Sequence, residues 1–200
     1  MPSEIVLLTG EAEAPHLEEI LRRHNPALNV VPAYTADDLK AACLETPAAM
    51  RRLIAFCTSV IVPAAVLEAV DGPAYNFHPG PPTYPGNHVA SFAIYDGAEM
   101  FGVTAHEMAA KVDSGAIVAV DWFGVPDGIR FVDLEIKAYR ALVQLFLGLA
   151  EHLATDDTPL APLDMEWSER VTTSKDYERM RQIDETMSEA EIKLRFRAFG

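Results

Sequence analysis

Positive charge is scarce in this chain of 200 residues. Sixteen Lys and Arg face thirty Asp and Glu, a formal charge of −14. A protein built to grip nucleic-acid backbone needs clustered Lys and Arg, so that class is disfavoured. A local basic pocket would still serve a small anionic substrate. Cysteine is rarer still. Cys43 and Cys57 lack metal-ligand spacing and read as small buried residues of a reduced, cytoplasmic protein. No apolar run is long enough to span a bilayer, and the first residues lack the basic-then-apolar pattern of a secretion signal. No internal repeat or low-complexity stretch appears. What the chain does have is a hydrophobic half, enough for one sizeable core.

Strand and helix patterns alternate along it. Glu4 to Thr9 reads as a buried strand ending at Gly10. Leu17, Ile20 and Leu21 recur at helical spacing between Pro15 and His24. Asn29 to Ala33 is a second strand, and Thr35 with Asp37 and Asp38 opens a helix. A third strand is expected over Leu53–Cys57, a helix over Pro63–Val70, and a fourth strand carrying Asn76 and His78. This order predicts an α/β fold, a half-Rossmann, mostly parallel twisted sheet flanked by helices. A helix over Asn87–Tyr95 follows, then two strands, Phe101–Met108 and Ala116–Val125, pairing as a hairpin. A long helix is expected from Val132 to Leu153, with Leu134, Ile136, Ala138, Leu142, Phe146 and Leu149 among its apolar positions. The division expected is a catalytic domain over residues 1–155 and a tail over 156–200 with a short final helix.

The chemistry concentrates between Asn76 and Gly115. Asn76 and His78 lie two apart, so in a strand both side chains point to one side. Pro79-Gly80-Pro81-Pro82 stops that strand and leaves the pair at its C-terminal mouth, where open parallel sheets hold ligands. Asp113 arrives later, in an Asp113-Ser114-Gly115 turn. An amide donor, an imidazole and a carboxylate suit acyl transfer to an amine. Singly, each has a plain structural account, since Asn and Asp commonly form turns.

In order and spacing, these motifs resemble those of the folate-dependent formyltransferases. The matching residues are Asn76-Phe77-His78-Pro79, Gly102-Val103-Thr104-Ala105-His106, Asp113-Ser114-Gly115 and the earlier Ile61-Val62-Pro63-Ala64-Ala65-Val66-Leu67. The resemblance covers residues 52 to 125 well and implies a catalytic triad of Asn76, His78 and Asp113, with N10-formyltetrahydrofolate as formyl donor. By it, Ile61 and Val62 border the folate pocket, with core packing as the competing account; Met108 has the same two readings. An amine attacking the formyl carbon would put negative charge on its oxygen. Asn76 and a protonated His78 could stabilise that charge, and Asp113 would favour the protonated imidazole. Alternatively, Asp113 takes the amine proton.

Departures from the family pattern narrow the branch. The loop after His78 is one residue shorter than the common Pro-Ser-Leu-Leu-Pro-x-Tyr-Arg-Gly and lacks its arginine. Thr9-Gly10-Glu11-Ala12-Glu13 is acidic where the glycinamide ribonucleotide branch has a Gly-rich phosphate loop. No room is left for the extra C-terminal domain of the methionyl-tRNA branch. The tail around Trp167-Ser168-Glu169-Arg170 is similar to tails of sugar N-formyltransferases. The implied acceptor is a small amine, foremost a nucleotide-linked amino sugar. The alternatives are a hydrolase releasing formate and a silent folate-binding module.

No nucleic acid, membrane or metal is expected, and a homodimer is an open expectation. His88 and His106 lack metal-site spacing, and His106 faces a substrate or simply packs. Tyr84 either lids the site or packs beside it. Seven of the sixteen basic residues lie in the tail, where they form a solvated surface or meet a substrate or subunit. An acceptor diphosphate would need positive charge, with Lys111, Arg195 and Arg197 as the candidates.

Overall fold

The computed structural model describes residues 2–45 and 50–200. A six-stranded sheet runs in the order β2-β1-β3-β4-β5-β6. Its strands are β1 Glu4–Leu8, β2 Asn29–Ala33, β3 Arg51–Phe56, β4 Ala74–His78, β5 Met100–Glu107 and β6 Ile117–Gly124. The first four are parallel, as the alternating pattern predicts, while β5 and β6 are antiparallel to their neighbours. Parallel central strands must be covered on both faces, which explains why β1 and β3 are buried throughout.

Side-chain alternation sorts the core into two layers. Ile5, Leu7, Ile54, Phe56, Tyr75 and Phe77 face helices α1 (Ala14–His24) and α5 (Phe131–Thr155). Val6, Leu8, Leu53 and Ala55 face the opposite layer with α2 (Ala36–Lys40) and α3 (Ala64–Ala69). On α5 the buried stripe runs Leu134, Ala138, Leu142, Phe146, Ala150 and Leu153. Ile136, expected inward, is 47% exposed; it lies two residues from both Leu134 and Ala138, which turns it off their stripe. Thr35 caps α2 reciprocally with Asp38, a capping box.

The third strand starts earlier than its apolar residues suggested, because Arg51 and Arg52 belong to it and are buried. Arg51 pairs with Glu4 at 2.6 Å. Arg52 donates from Nη2 to the Asp156 carbonyl at 2.9 Å and from Nη1 to the Leu153 carbonyl. It thereby serves the unsatisfied C-terminal end of α5, where a cation is favoured. Tyr75 continues the anchor by accepting the Leu160 N–H at 2.8 Å.

Beyond residue 155 the chain packs against the domain rather than extending away from it. A helix absent from the sequence reading, α6 (Ser174–Met180), precedes α7 (Glu189–Phe199). Phe199 is buried, its ring 5.3 Å from that of Phe92 on α4 (Val89–Tyr95). Of the cysteines, Cys43 is buried as expected, but Cys57 is exposed and left-handed at φ 47° where the chain leaves β3. Among the described residues, no helix is long and apolar enough to cross a membrane.

Candidate active site

The site forms where the sheet changes from parallel to antiparallel. Antiparallel register sets Asn76 opposite His106 and His78 opposite Thr104 across β4 and β5. Cross-strand partners on one face lie side by side, so His106 joins the pair that strand parity had already aligned. The turn after β5 then brings Asp113 over them, with its backbone left-handed at φ 44°. Asp tolerates that conformation better than most residues. Gly115 makes the approach feasible, because a Cβ there would lie 1.9 Å from the Glu107 carbonyl oxygen. The Asp-x-Gly motif is therefore a steric requirement for carrying the carboxylate back across the strand end.

Asn76, His78 and Asp113, the triad implied by the sequence, converge. Asp113 Oδ2 is 3.5 Å from His78 Nδ1 and accepts the Gly86 N–H at 2.8 Å. Asp113 Oδ1 is 3.3 Å from His106 Nε2 and 3.5 Å from Asn76 Nδ2. The Asn76 amide also lies 3.1 Å from His106 Nε2. His106 Nδ1 donates to the Glu107 carbonyl at 2.7 Å, and its Nε2 lies between Asp113 Oδ1 and the Asn76 amide. His106 is thus a fourth polar member of the cluster. Strand parity with Thr104 pointed to its face, but only the register with β4 identifies its neighbour.

His78 is held on both nitrogens. Its Nε2 donates to the Tyr84 carbonyl at 3.1 Å, and its Nδ1 faces Asp113. Glycine at position 80 has a local reason: a Cβ there would meet His78 Nε2 at 2.6 Å. Thr104 Oγ1 fixes the Gly80 carbonyl at 2.8 Å. Burial lowers the His78 pKa below the ordinary histidine value, outweighing the opposing pull of Asp113 and the Tyr84 carbonyl. Desolvation thus opposes the protonated imidazole, while Asp113 favours it as expected. Burial alone would raise Asp113, but the His106 hydrogen bond, the His78 interaction and the Gly86 N–H together hold its carboxyl below the usual range.

The cluster opens on a cleft of about 330 Å³ walled by residues 58–62, 76–79, 86–87, 108–113 and 171–173, with Ala55, Leu67 and His106. That is within the range of small-molecule sites. Ile61, Val62 and Met108 all line it, and Ile61 is 64% exposed. Val62 and Met108 also pack on the layer around Val66, so lining and packing coincide in them.

Several other expectations take a definite form. The Tyr84 ring packs beside Phe101 at 6.2 Å rather than standing as a lid, and its backbone carbonyl serves His78. His88 stacks on Tyr177 at 3.8 Å. Lys111 lines the cleft. Arg195 instead joins α6 and α7, bonded to Glu191 and to the Met180 and Gln182 carbonyls. The tail segment 171–173 on the cleft wall could not be foreseen, because nothing local in Val171-Thr172-Thr173 marks it.

Comparison with known proteins bears on the fold and on the segment that carries the motifs. Residues 44–128 match the formyl transferase family model. A Mycobacterium tuberculosis protein described as a candidate sugar N-formyltransferase is 22% identical, over 100% of this chain and 88% of its own, with a TM-score of 0.77. A sugar N-formyltransferase from a Shewanella species is 13% identical over 98% and 87%, with a TM-score of 0.80. An N-formyltransferase from Helicobacter canadensis, solved with folinic acid and dTDP-3-aminofucose, is 17% identical over 100% and 81%, with a TM-score of 0.73. At these identities the structures establish a shared fold, and the family model adds the motif-bearing segment. Residues 44–128, which hold Asn76, His78 and Asp113, are thus similar to the formyl transferase family.

Proposed function

We propose that the protein transfers a formyl group from N10-formyltetrahydrofolate to the amine of a small acceptor, foremost a nucleotide-linked amino sugar. The observation that carries this reading is the convergence of Asn76, His78 and Asp113 at the mouth of one cleft. The donor's ring system suits the apolar wall of Ile61, Val62, Leu67 and Met108. The Helicobacter canadensis structure, which holds a folate and a nucleotide amino sugar, supports the pairing of substrates.

The donor supplies an electrophilic formyl carbon; this chain supplies position and proton handling. Neutral His78 takes the proton of the attacking amine. Its positive charge then faces Asp113, a partner already in place 3.5 Å away. The proton next passes to the donor's N10 as the bond from the formyl carbon to that nitrogen breaks and tetrahydrofolate leaves. Asn76 offers its amide N–H to the formyl oxygen as negative charge develops there. Burial of His78 and Asp113 keeps water from competing and strengthens both interactions.

The test is to mix the protein with formyl donor and a panel of nucleotide-linked amino sugars. Tetrahydrofolate release and an N-formyl product of the corresponding mass are then measured. Amine-dependent turnover is the expected result. Formate release at the same rate without amine would replace transfer by hydrolysis, and donor binding with no turnover would overturn the enzymatic reading.

A further inference from the structure

The tail crosses the site as a strap. Leu163 N–H bonds the Ile117 carbonyl at 2.7 Å, Ser168 N–H the Pro82 carbonyl at 2.9 Å, and Thr172 N–H the Pro85 carbonyl at 3.0 Å. Thr172 also accepts the Asn87 N–H at 2.9 Å and returns its own hydroxyl to the Asn87 carbonyl at 2.7 Å. The strap therefore ties the loop after His78 to the turn that carries Asp113. At its centre, Trp167 Nε1 donates to the Gly115 carbonyl at 2.8 Å. Its ring stands edge-on to both imidazoles, with centroids 5.9 Å from His78 and 4.9 Å from His106. Trp167 stands outside the cleft wall, a place that suits bracing the histidines.

We propose that Trp167 is a positioning residue for the formyl-transfer site. Its indole N–H fixes the Asp113 turn through Gly115, and its ring keeps water from the back of His78 and His106. The two functions separate by chemistry. Phenylalanine keeps a ring but has no N–H, whereas alanine has neither. The titratable groups facing His78 are Asp113 and His106, and the Tyr84 carbonyl faces its other nitrogen. Because burial is the main influence on the His78 proton, removing the ring should raise its titration midpoint.

The catalytic half of the proposal rests on the formyl-transfer reading; the structural half does not. The deciding measurement is therefore an NMR titration of the His78 and His106 rings in the full chain without substrate. Trp167→Ala should move the His78 midpoint upward, while Trp167→Phe should leave it near the wild-type value. In the kinetic assay, Trp167→Phe should lower kcat roughly 10- to 100-fold, the scale on which misplaced catalytic groups lose rate, with the donor Kd unchanged. Should Trp167→Ala fail to fold, Trp167→Gln, which keeps bulk and an N–H donor but removes the apolar cover, takes its place in the titration, with the same upward shift expected. An unmoved His78 midpoint in the ring-less variant would overturn the shielding role. Wild-type kcat in Trp167→Phe would overturn the positioning role. If no acceptor turns over in the wild type but the His78 midpoint moves, the fault lies in the functional reading and the strap stands.

Discussion

The two halves of the site reach it by different routes. The β4–β5 half, from Asn76 to Gly115, is compact in sequence, and its members meet through strand register and one turn. The tail half, from Leu163 to Thr173, arrives after the 25-residue helix α5 and binds mostly through backbone hydrogen bonds. A motif that places reactive groups must specify side chains. A strap that closes over loops needs mainly N–H and C=O groups, which every non-proline residue carries. One half therefore reads clearly in the sequence, and the other hardly does.

The most severe way to break the motif half is at Gly115. Gly115→Ala would drive a Cβ into the Glu107 carbonyl. Turnover should fall by more than about 10²-fold, since the Asp113 turn cannot sit where it does. Activity and a thermal melt of the same preparation check this, and wild-type values in both would remove the steric account. The counterpart in the tail is Phe199→Ala, which empties a buried site between α4 and α7. It should cost about 3–5 kcal/mol of stability in denaturant unfolding, and a cost under about 1 kcal/mol would mean that α7 adds little to the core.

His78→Ala sharpens the contrast, because it should cost chemistry rather than stability. Turnover should drop roughly 10²- to 10³-fold while donor binding persists. The wild-type pH profile adds a sign. A histidine whose folded pKa is lowered is neutral across the neutral range, so kcat/KM should hold its plateau below the ordinary value of about 6.5. It should fall only at lower pH, as His78 gains its proton. The same shift makes folding less favourable as pH drops below the unfolded histidine value, because the unfolded chain binds that proton first. An acid limb above about pH 6.5 would contradict a neutral buried base.

The smallest effects separate two of the three cations expected as diphosphate contacts, Lys111 and Arg195. Lys111 lines the cleft, and Lys111→Ala should raise the acceptor KM by up to about tenfold, the scale of one charge-assisted contact. Arg195 is engaged within the α6–α7 contact, and Arg195→Ala should leave the acceptor KM unchanged. A raised KM in the arginine variant alone would reverse these assignments.

The sequence by itself determined the strand and helix order, because apolar periodicity survives whatever the tertiary packing does. It also put Asn76 and His78 on one side of a strand by parity, whereas their grouping with Asp113 as a triad came only from the resemblance to formyltransferases. Buried Arg51 and Arg52 escaped notice because charge normally argues against a strand interior; their partners, Glu4 and the end of α5, lie far away in sequence. Tertiary structure alone decided that the His78 pKa is lowered, since desolvation depends on everything packed around the ring. It alone decided that His106 joins Asn76, through antiparallel register. And it alone brought Trp167 to the histidines, because the strap's backbone bonds to distant loops leave no periodic trace in its own residues.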